Sequence, residues 1–177
     1  MSTPCIFLDR DGVINRDRVN YAYQLENFEI LPRVPQALWR LKQAGFRLII
    51  VTNQSGIAKG IYTRAQMQCC HDFMQATTGH LIDKIYYAPY HPSVTESLTR
   101  KPDSLMLEKG IARFEADLAQ SWMIGDKERD LLPAQKLGIK GILIDPKNPK
   151  TIAETTVTSL WEAADWILRD QHRDENF

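Results

Sequence analysis

The sequence predicts an α/β domain in which a central parallel sheet carries helices on both faces. Short apolar runs alternate along the chain with segments whose apolar residues recur every three or four positions, as strands alternating with helices do. Such alternation requires right-handed crossovers and therefore a parallel sheet. The length of 177 residues suits one domain. We expect residues 1–177 to form that domain, with a polar tail at 170–177 that frays.

Strands and helices account for most of the chain. The apolar runs predict strands at Cys5–Asp9, Phe46–Thr52, Lys84–Ala88, Ser121–Gly125 and Gly141–Ile144. The helical patterns predict helices from Val34 to a stop at Gly45, from the capping box Thr63–Gln66 to about Thr78, from Pro102 to Phe114, from Leu131 to Leu137 and from Trp161 to Leu168. Two irregular segments remain, Gly12–Leu31 and Pro89–Arg100, and irregular segments of that length are usually functional.

The composition excludes several kinds of partner. Hydrophobic residues make up 44% of the chain, and 22 basic residues balance 22 acidic ones. A formal charge of zero leaves no basic excess for nucleic acid or an anionic membrane, and no apolar run approaches the ~20 residues of a membrane helix. Cys5, Cys69 and Cys70 form neither a CxxC pair nor an even disulfide set. We therefore expect a cytoplasmic protein, taken to be a monomer, that binds neither nucleic acid nor membrane.

Polar groups follow the predicted strands at their carboxyl ends. Asp9–Gly12 follows the first strand, Thr52–Gly56 ends the second, Arg100–Pro102 follows the loop after the third, and Gly125–Lys127 ends the fourth. Each of these segments alone is ordinary for a loop. Because the carboxyl ends of parallel strands share one edge of the sheet, where ligands bind, we expect them to form one site.

The residue types at that edge suit phosphoryl transfer. Asp9 and Asp11 are close enough to repel unless a cation lies between them, and Mg²⁺ takes one or two carboxylates together with substrate phosphate. Asp9 and Asp126 would be its carboxylate ligands, with the Asp11 backbone carbonyl as a third. Asp9 could then attack phosphorus to form an aspartyl-phosphate, while Asp11 acts as general acid and base. The phosphoryl oxygens would be held by Thr52, Asn53 and Lys101.

The segments DRDGVIN, VTNQSGI, RKP and GDK resemble the four ordered motifs of the haloacid dehalogenase (HAD) superfamily of phosphatases. The closer similarity is to its histidinol-phosphatase-like subfamily and, within it, to heptose bisphosphate phosphatases, and it extends from about Cys5 to Leu168. The resemblance implies a HAD-like Rossmannoid three-layer sandwich. The intervals from Asp11 to Thr52 and from Thr52 to Lys101 leave no room for a large cap domain.

The resemblance also implies roles for individual residues. The catalytic residues would be Asp9, Asp11, Thr52 and Lys101, and the residues that bind magnesium would be Asp9, Asp11 and Asp126. A small phosphorylated metabolite would contact Asp17, Arg18, Val19, Asn20, Thr52, Asn53, Gln54, Ser55, Arg100, Lys101 and Lys127. Arg100 is favoured for the sugar or a second phosphate, because a guanidinium suits phosphate. Asp130 is expected either to support the site indirectly or to act only as a favourable acid in the first turn of a helix.

One departure from the subfamily concerns zinc. Relatives carry a C-x-H…C-x-C zinc loop before the RKP segment, but the corresponding positions here are Ala88, Tyr90, Ser97 and Thr99. Without a thiolate, tetrahedral zinc is not expected, and His91 alone does not form a site. We therefore expect the loop at 89–100 to be held by packing, through the tyrosines at 86, 87 and 90.

Four alternatives stay open. The first is a histidinol-phosphate phosphatase, which would use the same mechanism on a different substrate. A polynucleotide 3′-phosphatase has similar TNQ-x-GI and RKP segments, but zero net charge and the lack of an aromatic and basic groove oppose it. A non-catalytic phospho-acceptor domain of the receiver type would carry its aspartate after the third strand, where this chain has Ala88 and Pro89. An inactive member acting as a structural partner would lack a motif residue, and none is missing.

Overall fold

Six parallel strands form a sheet in the computed structural model, which describes residues 2–145, 147 and 151–174. The strands are β1 (Thr3–Leu8), β2 (Arg47–Asn53), β3 (Lys84–Ala88), β4 (Ala116–Gly125), β5 (Lys140–Leu143) and β6 (Thr155–Thr156). Their order across the sheet is β3-β2-β1-β4-β5-β6, and each neighbouring pair is parallel. The predicted α/β class with a central parallel sheet is confirmed.

Helices cover both faces of this sheet. They are α1 (Val34–Gln43), α2 (Arg64–Thr77), α3 (Leu105–Phe114), α4 (Glu128–Lys136) and α5 (Leu160–Asp174). Alternate residues of β1 point to opposite faces, so Ile6 and Leu8 enter one apolar cluster and Cys5 and Phe7 enter the other. The first cluster contains buried residues of α1, α2 and α5, and the second contains those of α3 and α4. The molecule is therefore a three-layer sandwich.

Two differences from the predicted strands have simple causes. β4 begins at Ala116 rather than Ser121, because Ala116 and Asp117 pair with Thr3 and Pro4 ahead of a shift in register. These first residues of β4 are half-buried or exposed, so no apolar run marks them. β6 was not predicted, because a two-residue strand leaves no recognisable pattern.

Helix boundaries also differ. α4 begins at Glu128 rather than Leu131, because the Asp130 carboxylate accepts the backbone N–H of Lys127 and caps the first turn. α3 begins at Leu105 rather than Pro102, after a turn. α5 continues past Leu168, so residues 170–174 of the expected frayed tail are helical, and residues 175–177 lie outside the described residues.

The topology fixes where a ligand can bind. From β1 the chain builds β2 and β3 on one side, and it then returns to place β4, β5 and β6 on the other. Ligands of open parallel sheets bind at such a reversal, at the carboxyl ends of the strands. Of the two irregular segments, 12–31 contains a 3₁₀ turn at Leu25–Asn27 and 89–100 contains turns, so within the described residues no cap domain is present. No described helix is both long and apolar enough to cross a bilayer.

Candidate active site

Three carboxylates meet where β1 and β4 end. Asp9 directly follows β1, Asp126 directly follows β4, and Asp130 lies in the first turn of α4. One oxygen of each lies within 4.8 Å of the others, and we call these three residues the acidic cluster. Asp9 is 8% exposed and Asp130 is 2% exposed. Burying several like charges is unfavourable unless cations lie among them.

Lys101 supplies one of those cations. Its Nζ lies 2.7 Å from Asp9 Oδ1 and 2.8 Å from Asp130 Oδ1, and its side chain is buried. Burial acts to lower the pKa of Lys101, but the charges of Asp130 and Asp9 outweigh burial and raise it. Asn53 fixes the lysine backbone, because its Oδ1 accepts the Lys101 N–H at 3.0 Å and its Nδ2 donates to the Lys101 carbonyl at 3.1 Å. The ammonium group is therefore charged and held in place.

Asp126 has an oxygen available to a metal. Its Oδ1 is buried and has no hydrogen-bond partner, while its Oδ2 lies 3.4 Å from Lys127 Nζ. Gly12 packs against this carboxylate with φ +84°, and a Cβ at Gly12 would lie 2.4 Å from Asp126 Oδ2. A buried, unpaired carboxylate oxygen beside other carboxylates is the kind of donor set that a hard divalent cation prefers. The residues present thus fit Mg²⁺.

The acidic cluster is short of positive charge. Burial raises the pKa of Asp9 to about 7, with Lys101 opposing and Asp130 adding to the shift. Burial likewise raises the pKa of Asp126 to about 6, with Lys127 opposing. A divalent cation among these carboxylates would act in the opposite direction, because it stabilises their ionised forms.

The Asp11 carboxylate is held by other side chains and is not part of the acidic cluster. Arg10 Nη2 donates to Asp11 Oδ1 at 2.9 Å and to Oδ2 at 3.1 Å, Asn15 Nδ2 donates to Oδ1 at 2.9 Å, and Gln54 Nε2 donates to Oδ2 at 3.2 Å. Burial acts to raise the pKa of Asp11, but the Arg10 charge and these hydrogen bonds hold it below its usual value. Asp11 is therefore ionised and fixed in orientation.

Gln54 and Thr52 connect Asp11 to β2, and both are buried. Gln54 Nε2 also donates to Thr52 Oγ1 at 2.9 Å, and Gln54 Oε1 accepts the Tyr62 hydroxyl at 2.7 Å. Gly56 makes room for Tyr62, since a Cβ there would lie 2.1 Å from the ring. The Gln54 amide is thus engaged within the protein, and its contact with substrate remains a prediction.

A cavity of about 340 Å³ adjoins the acidic cluster. Most of the residues that the sequence assigns to the site line it: Asp9, Asp11, Asp17, Arg18, Val19, Asn53, Gln54, Ser55, Arg100, Lys101 and Lys127. Three assigned residues do not line it: Asn20, Thr52 and Asp126. Several residues without an assignment from the sequence also line it, among them Tyr21, Lys59, Tyr62, His91 and Arg129. In the sequence, the only feature that points to these residues is their position in or beside the segments that follow the strands.

Part of the cavity wall carries unneutralised positive charge. Lys127 pairs with Asp17 at 2.9 Å, and Arg18 lies 3.8 Å from Glu29. Lys59, Arg100 and Arg129 form no ion pair with any carboxylate of the described residues. Neutral oxygens hold two of them, since Lys59 Nζ donates to the Tyr21 hydroxyl at 3.0 Å and Arg100 Nη1 to the Tyr90 carbonyl at 3.1 Å.

Hydrogen bonds close the loop at 89–100, where packing was expected. Ser97 Oγ and Thr99 Oγ1 lie 2.8 Å apart, and His91 Nδ1 lies 2.7 Å from Ser93 Oγ. The bond from Arg100 to the Tyr90 carbonyl joins the two ends of the loop. The Tyr86 hydroxyl donates to the Lys109 carbonyl of α3, and the Tyr87 ring lies near His71 of α2. Packing of the loop through the tyrosines at 86, 87 and 90 remains a prediction.

Comparisons with known proteins agree with this arrangement. A HAD-hydrolase-like family model matches residues 98–157. The D-glycero-β-D-manno-heptose-1,7-bisphosphate 7-phosphatase of Escherichia coli K12 is 39% identical over 178 residues, covering 94% of this chain and 89% of the relative. The enzyme of the same name from Yersinia pestis is 40% identical, covering 94% of this chain and 90% of the relative.

Solved structures lead to the same group. The D,D-heptose 1,7-bisphosphate phosphatase of B. bronchiseptica, complexed with magnesium and phosphate, has a TM-score of 0.86 and 29% identity, covering 94% of this chain and 99% of that one. A HAD-like phosphatase from Mesorhizobium loti has a TM-score of 0.80 and 26% identity, covering 94% of this chain and 88% of that one.

Fold and site together define a phosphoric monoester hydrolase of the HAD type, and the HAD-like Rossmannoid fold predicted from the sequence is confirmed. More closely, the chain belongs to the family of D-glycero-D-manno-heptose 1,7-bisphosphate 7-phosphatases.

Proposed function

We propose that the protein is a Mg²⁺-dependent phosphatase that removes the 7-phosphate of D-glycero-D-manno-heptose 1,7-bisphosphate through an aspartyl-phosphate on Asp9. The observation that carries this proposal is the position of Asp9, 2.7 Å from Lys101 and within the acidic cluster at the carboxyl ends of the strands. Relatives 39% and 40% identical bear this activity in their names, which specify the β-anomer, so we expect that anomer to be preferred.

Magnesium would be held by the carboxylates of Asp9 and Asp126 and by the main-chain carbonyl of Asp11. This assignment leaves Asp130 paired with Lys101 and the Asp11 side chain free for proton transfer. When bound, the ion would neutralise the acidic cluster and polarise the transferring phosphoryl oxygens. Zinc is not expected in the loop at 89–100.

The reaction would run in two displacements. A carboxylate oxygen of Asp9 attacks phosphorus as the bond to the sugar oxygen breaks, and Asp11 gives the leaving alkoxide its proton. Asp11 then takes a proton from the water that attacks the phosphoryl-aspartate, which releases phosphate and restores Asp9. Lys101 balances charge on the phosphoryl oxygens, and the Thr52 hydroxyl would donate a hydrogen bond to one of them. The donors around Asp11 favour its ionised form, which the second displacement requires. The proton that Asp11 gives to the leaving alkoxide in the first displacement must therefore arrive with the substrate, whose phosphate binds a proton with a pKa of about 6.

The cations at 59, 100 and 129 favour a substrate with a second phosphate. A guanidinium binds a phosphate with two parallel hydrogen bonds, and Arg100 and Arg129 both line the cavity. Histidinol phosphate would instead bring an ammonium group to this wall. Asp17, a carboxylate on that wall, is already paired with Lys127. Charge therefore favours the bisphosphate over histidinol phosphate.

A phosphate-release screen tests this proposal. Its substrates are both anomers of the heptose bisphosphate, histidinol phosphate and a 3′-phosphorylated oligonucleotide. We expect kcat/KM for the β-bisphosphate to exceed the others by about 100-fold or more, as sites built on specific polar contacts discriminate. Asp9→Asn should release no phosphate, which excludes a contaminating enzyme. A higher kcat/KM for histidinol phosphate would contradict the substrate assignment.

The variant Arg129→Ala tests whether this wall of the cavity recognises a second phosphate of the substrate. It should raise KM for the bisphosphate and leave KM for a sugar monophosphate unchanged. Equal effects on both substrates would contradict the recognition of a second phosphate by this wall.

We also place the protein in the cytoplasm. Cys5, Cys69 and Cys70 are all unpaired thiols, as in proteins of a reducing compartment.

A further inference from the structure

We infer that Arg10 and His71 form a positioning pair that fixes the Asp11 carboxylate for proton transfer. This inference rests on the proposed function, since that function gives Asp11 its catalytic part. Neither Arg10 nor His71 was assigned a role from the sequence, and His71 belongs to α2, far along the chain from the DRDG segment.

Arg10 is buried in contact with Asp11 and is only 1% exposed. Its Nη2 donates to both oxygens of Asp11 and to the Ala22 carbonyl at 3.0 Å. The guanidinium carbon lies 5.3 Å from the centre of the Phe28 ring. A buried guanidinium is costly unless its donors are satisfied, and the Nε of Arg10 has no partner. The fold thus keeps a buried cation, with one of its donors unsatisfied, in contact with Asp11.

His71 holds the far end of this guanidinium. Its Nε2 lies 3.3 Å from Arg10 Nη1, and its ring is 2% exposed. Because a guanidinium can only donate, Nε2 must accept, which leaves the imidazole neutral with its proton on Nδ1. Burial lowers the pKa of His71 to about 3, and the Arg10 charge acts in the same direction. His71 is therefore a permanent acceptor.

The contacts form a chain from α2 to the reacting carboxylate. Ala22, in the segment 12–31, and His71, in α2, hold the guanidinium from two separate elements, so its plane and its distance from Asp11 are both set. Without the acceptor on α2, the guanidinium could rotate and Asp11 would shift with it. A misplacement of about 1 Å in such a group can cost as much as 100-fold in rate.

Two substitutions at position 71 test this pair. His71→Phe keeps an aromatic ring, somewhat larger than the imidazole, and removes the acceptor, whereas His71→Gln keeps an acceptor near the place of Nε2. With the heptose bisphosphate as substrate, we expect His71→Phe to lower kcat by about 10- to 100-fold with little change in KM, and His71→Gln to recover most of that loss. Met74→Ala removes a buried side chain from the same helix and should lower the melting temperature without lowering kcat at temperatures where it is folded.

The outcomes separate this inference from the proposed function. Wild-type kcat in His71→Phe, or a His71→Gln variant as slow as His71→Phe, would overturn the positioning role. Nitrogen-15 NMR of histidine in the wild-type protein should find His71 neutral, with its proton on Nδ1, between about pH 5 and pH 8. A proton on Nε2 would overturn the pair even if the wild type hydrolysed none of the screened substrates, a result that would itself refute the proposed function.

Discussion

Gly12→Ala should disable the site while leaving most of the fold intact. Gly12 has φ +84°, a left-handed conformation that costs another residue about 1–2 kcal/mol. The added Cβ would lie 2.4 Å from Asp126 Oδ2, where ordinary contact begins at 3.4 Å. The Asp126 carboxylate must therefore move by about 1 Å, a shift that can cost as much as 100-fold in rate when a group must be exactly placed.

The expected result is a fall in kcat/KM of about 100-fold, together with a rise in the Mg²⁺ concentration that gives half-maximal activity. Urea unfolding should report a loss of about 1–2 kcal/mol. Gly45→Ala is the matched control, because Gly45 has φ +90° and no atom lies within 4 Å of the Cβ it would gain. It should lose similar stability and keep full activity. Wild-type Mg²⁺ dependence in Gly12→Ala would show that the Asp126 carboxylate does not move, and equal loss of activity in Gly45→Ala would show that backbone strain alone accounts for the effect.

Three further changes have defined outcomes. Lys101→Met leaves Asp9 and Asp130 buried without their cation, so urea unfolding should report a loss of about 3–5 kcal/mol, and phosphate release should cease. A rate of phosphate release above half that of the wild type would count against the role of Lys101. Asp83→Asn should destabilise the protein more at pH 7 than at about pH 3. Burial acts to raise the pKa of Asp83, but its hydrogen bonds from Lys42 and Leu48 hold it low, so its stabilisation is complete above the unfolded pKa of about 4 and is lost as the pH falls through the folded pKa. A difference in the free energy of unfolding between wild type and variant that stayed constant with pH would disprove this. Excess EDTA should abolish activity and Mg²⁺ restore it, and metal analysis should find no stoichiometric zinc; full activity in EDTA, or one tightly held zinc, would contradict these expectations.

The positions of Asp9, Asp126 and Lys101 could be inferred from the sequence for a physical reason. Asp9 and Asp126 each directly follow an apolar strand, and parallel strands bring their carboxyl ends to one edge. Lys101 is close to the same edge because Asn53, at the end of β2, pairs with its backbone. Strand direction thus brings Asp9 and Asp126 together, and the hydrogen bonds of Asn53 add Lys101 to them.

Contacts between elements could not be inferred in this way. Asp130 meets Lys101 at 2.8 Å only because of how α4 packs on the sheet. An arginine between two aspartates would ordinarily be expected in solvent, yet Arg10 is buried against His71, which is remote in sequence. The orientation of the Gln54 amide depends on the Tyr62 hydroxyl. Each of these three contacts depends on how side chains from different elements pack together, which the pattern of residues along the sequence does not reveal.

Rapid acid quench during turnover of the heptose bisphosphate, followed by peptide mass spectrometry, locates any phosphoryl group carried by the chain. We expect a transient phosphoryl group on Asp9 in the wild-type protein and none in Asp9→Asn. Turnover with no phosphorylated peptide at any time point, or with the phosphoryl group on a different residue, would contradict nucleophilic attack by Asp9.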